Sequence, residues 1–123
     1  MLTFNNQGLI PAIVQDSDNG DVLMLGYMDA EALRRTLESK EVWFYSRSRQ
    51  ELWHKGDTSG NRLLLRSIAV DCDSDALLVK AQPTGPICHT GNQSCFFQQI
   101  DAQSALGGEL SIQPDTQEHD ILD

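Results

Sequence analysis

No lysine or arginine stands before Arg34 or after Lys80 in this chain of 123 residues, and 18 Asp and Glu against 9 basic residues leave a formal charge of -9. That shortage of positive charge argues against general binding to nucleic acid or to an anionic membrane surface. Long apolar runs are missing as well: no segment approaches the roughly 20 residues of a membrane span. The opening MLTFNNQGLIPAIV has no basic n-region, so it is not expected to act as a signal peptide, and the chain is expected in the cytoplasm. Cysteine is scarce, and its count of three is odd. In a reducing compartment that argues against a disulfide framework and for metal binding or catalysis. The length and the 40% hydrophobic content suit one domain over residues 1–123, with no room for a second of ordinary size.

What positive charge there is sits in the middle. From Arg34 to Arg66 eight basic residues face four acidic ones, Glu38, Glu41, Glu51 and Asp57. A basic middle in an acidic chain suggests a small anionic substrate rather than a polyanion. Leu9–Val14, interrupted by Pro11, reads as an edge strand or strand entry. After the turn residues Asp16–Gly20, Val22–Leu25 reads as its hairpin partner. Asp29 is a good N-cap for a helix over Ala30–Ser39, with Leu33 and Leu37 at i, i+4 and Glu31 in the first turn. Val42–Tyr45, Leu63–Val70 and Ala76–Ala81 read as strands, and Phe96–Ile100 as a candidate last strand. Ser46–Asn61 reads as a functional loop with little regular structure, and residues 101–123 as a loosely attached tail. Six short strands and one clear helix with short connections predict a β-rich α+β fold, mostly antiparallel.

The densest chemistry lies in DCDSDALLVKAQPTGPICHTGNQSC, from Asp71 to Cys95, which holds three alternating aspartates and all three cysteines. If the preceding strand runs on through Asp73, Asp71 and Asp73 share one face and Cys72 points to the other. Carboxylates gathered on one face repel unless a hard cation such as Mg²⁺ lies between them, although a solvated acidic turn would look the same in sequence. An EF-hand is excluded, since Ala76 and Gln82 occupy its glycine and glutamate positions counted from Asp71. The spacing Cys-x15-Cys-x6-Cys is not that of a zinc ribbon, but three thiolates could hold Zn²⁺ and leave a fourth position for water. A single cysteine is more often a small buried hydrophobe; three in a polar, Gly-rich context weaken that reading. His89 could be a fourth ligand, a loop histidine or, the reading preferred here, a general acid/base. A zinc deaminase would carry His-x-Glu and Pro-Cys-x-x-Cys, and neither is present. A zinc-stabilised binding module would close the metal with four protein ligands.

The polar loop offers an anion cradle. Arg47, Arg49 and Lys55 bring charge, and Thr58, Ser59, Gly60 and Asn61 bring hydroxyl, backbone and amide donors. It contains no Walker A pattern, and an ordinary solvated loop is the competing reading, above all for His54 and Gln50.

Four blocks together resemble one family: VLMLGYMDAEAL (Val22–Leu33), FYSRSRQELWHKGDTSGN (Phe44–Asn61), DCDSDALL (Asp71–Leu78) and GPICHTGNQSCF (Gly85–Phe96). They are similar to the phosphoribosyl-AMP cyclohydrolases of histidine biosynthesis, the last two blocks most specifically. The resemblance implies Mg²⁺ on Asp71, Asp73 and Asp75, and Zn²⁺ on Cys72, Cys88 and Cys95, the zinc site being shared between the chains of an intertwined homodimer. It implies phosphoribosyl-AMP as substrate, with hydrolytic opening of the adenine ring between N1 and C6. Leu25–Asp29 departs slightly from the family's usual Ala-Tyr-Met-Asn. Some relatives carry a fused pyrophosphohydrolase domain, for which this chain is expected to be too short.

Overall fold

The computed structural model describes residues Met1–Asp101. The expected tail lies, from residue 102 on, outside the described residues. The elements in order are β1 (Ile10–Asp16), β2 (Val22–Met28), α1 (Ala30–Ser39), β3 (Trp43–Ser46), β4 (Glu51–His54), β5 (Leu63–Val70) and β6 (Leu77–Pro83). They form a four-stranded sheet in the order β2-β1-β6-β5 and a separate β3-β4 hairpin. The β1–β2, β5–β6 and β3–β4 pairs are antiparallel, and β1–β6 is parallel. The architecture is therefore strand-rich α+β with one helix, as the pattern of short strands predicts.

Three expectations about the strands change. The first strand is central rather than an edge, and Pro11, its second residue, stands at the strand entry. Pro11 is tolerated because β6 begins pairing only opposite Ala12, so the missing N–H lies beyond that ladder. Second, the loop expected over Ser46–Asn61 contains β4, which the β-favouring Leu52 and Trp53 pair against Phe44 and Tyr45. Third, Phe96–Ile100 is not a strand.

The core is one cluster running from β1 and β2 through Phe44, Leu63 and β6 to Ile87. Asp29 caps α1, its Oδ1 accepting from Ala32 N at 2.7 Å. Lys40 ends the helix with φ 66°, its N–H donating to Thr36 O. The helix turns Ala32 and Thr36 inward, while Leu37 is 50% exposed, so the expected Leu33/Leu37 stripe is only half right. Thr36 can be buried because its Oγ1 donates to Ala32 O (2.8 Å) and accepts from Trp43 N (2.9 Å), which ties α1 to β3. On the outer face Glu31 pairs with Arg34 and Arg35. Hydrogen bonds from those two side chains hold its carboxyl down at about 2.

Candidate active site

Strand β5 ends at Val70, so the aspartates do not continue it. They form the turn into β6. Asp71 N donates to Ala76 O (3.0 Å), and Asp71 Oδ1 accepts from the backbone N–H groups of Asp75 (2.9 Å) and Ala76 (3.2 Å). Ser74 takes φ 65° at the tip. The strand-alternation argument for this segment is thus replaced by turn geometry, which still gathers the acids: one oxygen from each of Asp71, Asp73 and Asp75 lies within 4.8 Å of the other two. Loss of solvent opposes ionisation of Asp71, but hydrogen bonds from the Asp75 backbone, the Asp75 and Asp73 side chains and the Ala76 backbone outweigh it and hold this carboxyl low. Asp75 goes the other way. Hydrogen bonding with Asp73 and Asp71, then desolvation and the charges of both, push it up to about 6. A crowded set of hard oxygen donors, one of which resists ionisation, fits a divalent cation, which would remove the repulsion.

The cysteines divide. Cys72 is exposed in the aspartate turn. Cys88 is buried at the start of a loop that Gln93 and Asn92 carbonyls close onto Ile87 N and Cys88 N, while Cys95 N donates to Leu23 O at 2.7 Å. This clamp sets Cys95 near Cys88. Burial, then the nearness of Cys88, pushes the Cys95 thiol up to about 12, with the Lys55 charge acting in the opposite direction. Two adjacent soft donors of this kind fit zinc, whose binding would displace their protons. Among the described residues no group of three that includes a cysteine converges as the aspartates do, so Cys72 does not join Cys88 and Cys95 within one chain. Thr90, missed in the sequence, donates its hydroxyl to Cys88 Sγ at 3.0 Å and accepts from Asn92 Nδ2 at 2.9 Å. Its position two residues after a cysteine in CHTGN was the available signal. His89 is exposed on the same loop.

The basic residues also take separate places. Arg47 is exposed at the tip of the β3–β4 hairpin, its guanidinium 4.0 Å over the Tyr27 ring. With Gln7, Leu9, Asp29, Tyr45 and Gln50 it lines a cleft of about 340 Å³. Arg49 pairs with Glu51 at 2.6 Å. Lys55, expected as part of the anion cradle, is buried at 1% exposure and donates to Ile87 O at 2.7 Å. Strand β4 ends just before it, at His54, and the chain there turns under the cysteine loop. His54 stacks on Trp43 (4.7 Å) and bonds Glu41 (2.7 Å), which commits it to holding the hairpin. Thr58, Ser59 and Gly60 are exposed, and Asn61 is half-buried. Thr84 pins their turn, donating to Gly60 O and accepting from Arg62 N.

A family model described as phosphoribosyl-AMP cyclohydrolase matches residues 24–97, which contain the aspartate turn, the cysteine loop and the whole Ser46–Asn61 segment. The chain belongs to this family. Among its relatives, the phosphoribosyl-AMP cyclohydrolase of Haloarcula marismortui is 52% identical over 114 residues, covering 93% of each chain. The protein of the same name from Bacillus cereus is 55% identical over 95 residues, covering 77% of this chain and 94% of its own. The histidine biosynthesis bifunctional protein HisIE of Bacillus subtilis is 59% identical over 105 residues, 85% of this chain and 50% of that protein. The chain therefore spans about half the length of the bifunctional relatives it matches and nearly all of the shorter ones. Among the described residues no helix is long and apolar enough to cross a membrane.

Proposed function

We propose that the chain is a phosphoribosyl-AMP cyclohydrolase of histidine biosynthesis, dependent on zinc and magnesium and working in the cytoplasm as a homodimer. The observation that supports this most is the overlap of the family match with both donor sets, the clustered oxygens of Asp71, Asp73 and Asp75 and the adjacent sulfurs of Cys88 and Cys95. In this reading the aspartates hold Mg²⁺. Cys88 and Cys95 hold Zn²⁺ with Cys72 of a second copy. Zinc in such a site supplies a water that ionises near neutral pH.

The substrate is an adenylate with a second phosphoribosyl group on N1, which makes the ring amidinium-like and electrophilic at C6. Water adds its oxygen to C6, the N1–C6 bond breaks, and the formimino carboxamide ribotide results. His89, exposed at the edge of the cysteine loop, carries the proton between the water and the departing nitrogen. Thr90 steadies the Cys88 sulfur through its hydroxyl. Arg47, Arg49 and the donors of Thr58, Ser59, Gly60 and Asn61 hold the two phosphates. Lys55 leaves that list, because its ammonium is buried against Ile87 O.

The test is incubation with phosphoribosyl-AMP, following ring opening by ultraviolet absorbance with and without a zinc chelator. Turnover that the chelator abolishes and zinc restores is the expected result. No turnover by the zinc- and magnesium-loaded protein overturns the activity, and full turnover without zinc overturns the metal dependence.

A further inference from the structure

A lysine is seldom fully buried unless something holds its charge, because desolvating an ammonium is costly. Lys55 is 1% exposed. Its Nζ donates to the carbonyl of Ile87, 2.7 Å away and one residue before Cys88. It lies 5.6 Å from the centre of the Trp53 ring and within electrostatic range of Cys95. Gly56, which follows it, is fixed at φ 88°, and a Cβ there would stand 2.6 Å from the Asn61 carbonyl oxygen. The strand end and the rigid turn thus hold the lysine under the cysteine loop, while Leu23 O ties that loop to β2 and Asn92 O closes it on Cys88.

We propose that Lys55 is a positioning residue for a thiolate–metal centre, fixing through Ile87 the backbone from which Cys88 projects and supplying positive charge to a metal site that its sulfur ligands leave net negative. The inference rests on the reading of Cys88 and Cys95 as zinc ligands. Two thiolates neutralise a divalent cation and a third leaves one negative charge over. In a partly dehydrated site that excess is destabilising, and a fixed cation beside it favours the loaded state. The Lys55 ammonium bonds the backbone beside Cys88, so its effect is read on metal retention and ligand placement. The carbonyl bond and the charge are separable contributions. Lys55→Gln loses the charge and leaves a neutral amide one bond short of the ammonium position, Lys55→Met loses charge and donor, and Lys55→Arg keeps the charge.

The experiment uses the full chain, zinc-loaded and metal-stripped. It measures the rate of zinc transfer to a chromogenic chelator and the melting temperature of each form. Lys55→Gln and Lys55→Met are expected to release zinc about 10- to 100-fold faster than wild type, the range for loss of a partner that supports metal ligands. Lys55→Arg is expected to release it within a few-fold of wild type. The melting temperature of the metal-stripped variants should shift less than that of the zinc-loaded ones, since the lost Ile87 bond and the removed buried charge act in opposite directions. A merely structural lysine would instead lower both forms equally, and that outcome overturns the proposal. So does a folded Lys55→Gln variant with the wild-type release rate. If Lys55→Met does not fold, Lys55→Gln carries the test. Wild-type protein that takes up no zinc overturns the zinc reading as well, whereas equal retention by wild type and variants overturns the role of Lys55 alone.

Discussion

Gly85→Ala should move the Asn61 side chain without altering Asn61 itself. Gly85 lies in the segment after β6, and its backbone is not in the left-handed conformation that would bar a side chain. The added Cβ would, however, stand 2.4 Å from Asn61 Oδ1 and 3.1 Å from its Cγ. Ordinary contact begins near 3.4 Å, so the amide must retreat by about 1 Å. It can, being the end of a flexible side chain, at the cost of an off-rotamer χ of about 1 kcal/mol. The fold should therefore survive with a melting temperature lower by a few degrees. If the Asn61 amide donates to a substrate phosphate, losing that charge-assisted bond costs about 1.5–3 kcal/mol, which is roughly 10- to 150-fold in KM. The phosphate is remote from C6, so kcat should hold. The decisive assay is a double-mutant cycle. Asn61→Ala alone should raise KM to a similar extent, and Gly85→Ala added to Asn61→Ala should change little more, because nothing remains to be displaced. Fully additive effects, or a folded Gly85→Ala enzyme with the wild-type KM, would refute the reasoning.

Cys88→Ala is expected to abolish zinc uptake and turnover together, whereas His89→Ala should keep its zinc and lose about 10²-fold or more in kcat; zinc content beside initial rates separates the two roles, and loss of zinc from His89→Ala would make that residue a ligand. The Asp75 carboxyl, pushed up from 3.8 to about 6, stabilises the metal-free fold fully below the lower value and loses that contribution as pH rises through the upper one. Melting temperature of the metal-free wild type should fall across that window, that of Asp75→Asn should not, and Mg²⁺ should remove the fall in wild type only; parallel curves for the two proteins would contradict the clustered-carboxylate picture. Gly26→Ala puts a Cβ 2.6 Å from Cδ1 of the fully buried Phe44, an overpacking of about 1–3 kcal/mol that urea denaturation will read, with zinc content unchanged.

Local signals in the chain were legible where one element decides its own shape. Asp29 capping Ala30–Ser39 is such a case, and so is β5, whose bounds Leu63–Val70 are those expected. Partners chosen at long range were not. Nothing in Leu9–Val14 says that β6, more than sixty residues on, will lie parallel beside it and turn an apparent edge into the centre of the sheet. β4 was obscured because its polar flanks dominate the composition, and only Leu52 and Trp53 betray a strand. At the candidate site, residue types were readable but addresses were not. Arg47 and Lys55 look alike in a basic loop, yet one lies on an exposed hairpin tip and the other beneath Ile87. The aspartates were gathered for a different reason from the one alternation gave. A turn capped by Asp71 needs that carboxylate for its own backbone, and the same turn crowds Asp73 and Asp75 against it.

That turn also settles where Cys72 stands, and with it the strongest test of assembly. Cys72 is exposed at the β5–β6 turn, while Cys88 and Cys95 face each other in a loop anchored to β2, and the three sulfurs do not converge within one chain. A centre using all three must then draw Cys72 from another copy, and twofold symmetry makes two such centres per dimer. Cys72→Ala spoils every centre to which it lends a residue, and Cys95→Ala spoils every centre to which it lends the pair. Each variant alone is therefore inactive. In a mixed dimer one centre receives both damaged contributions and the other receives none. Random reassociation of equal amounts makes half the dimers mixed, so activity should return to about a quarter of wild type. A centre built inside a single chain cannot be rescued this way, since each variant lacks one of its ligands in every copy. Co-refolding the two inactive proteins with zinc and measuring turnover decides the matter. No recovery, in a mixture shown by differential tagging to contain mixed dimers, would exclude a shared centre.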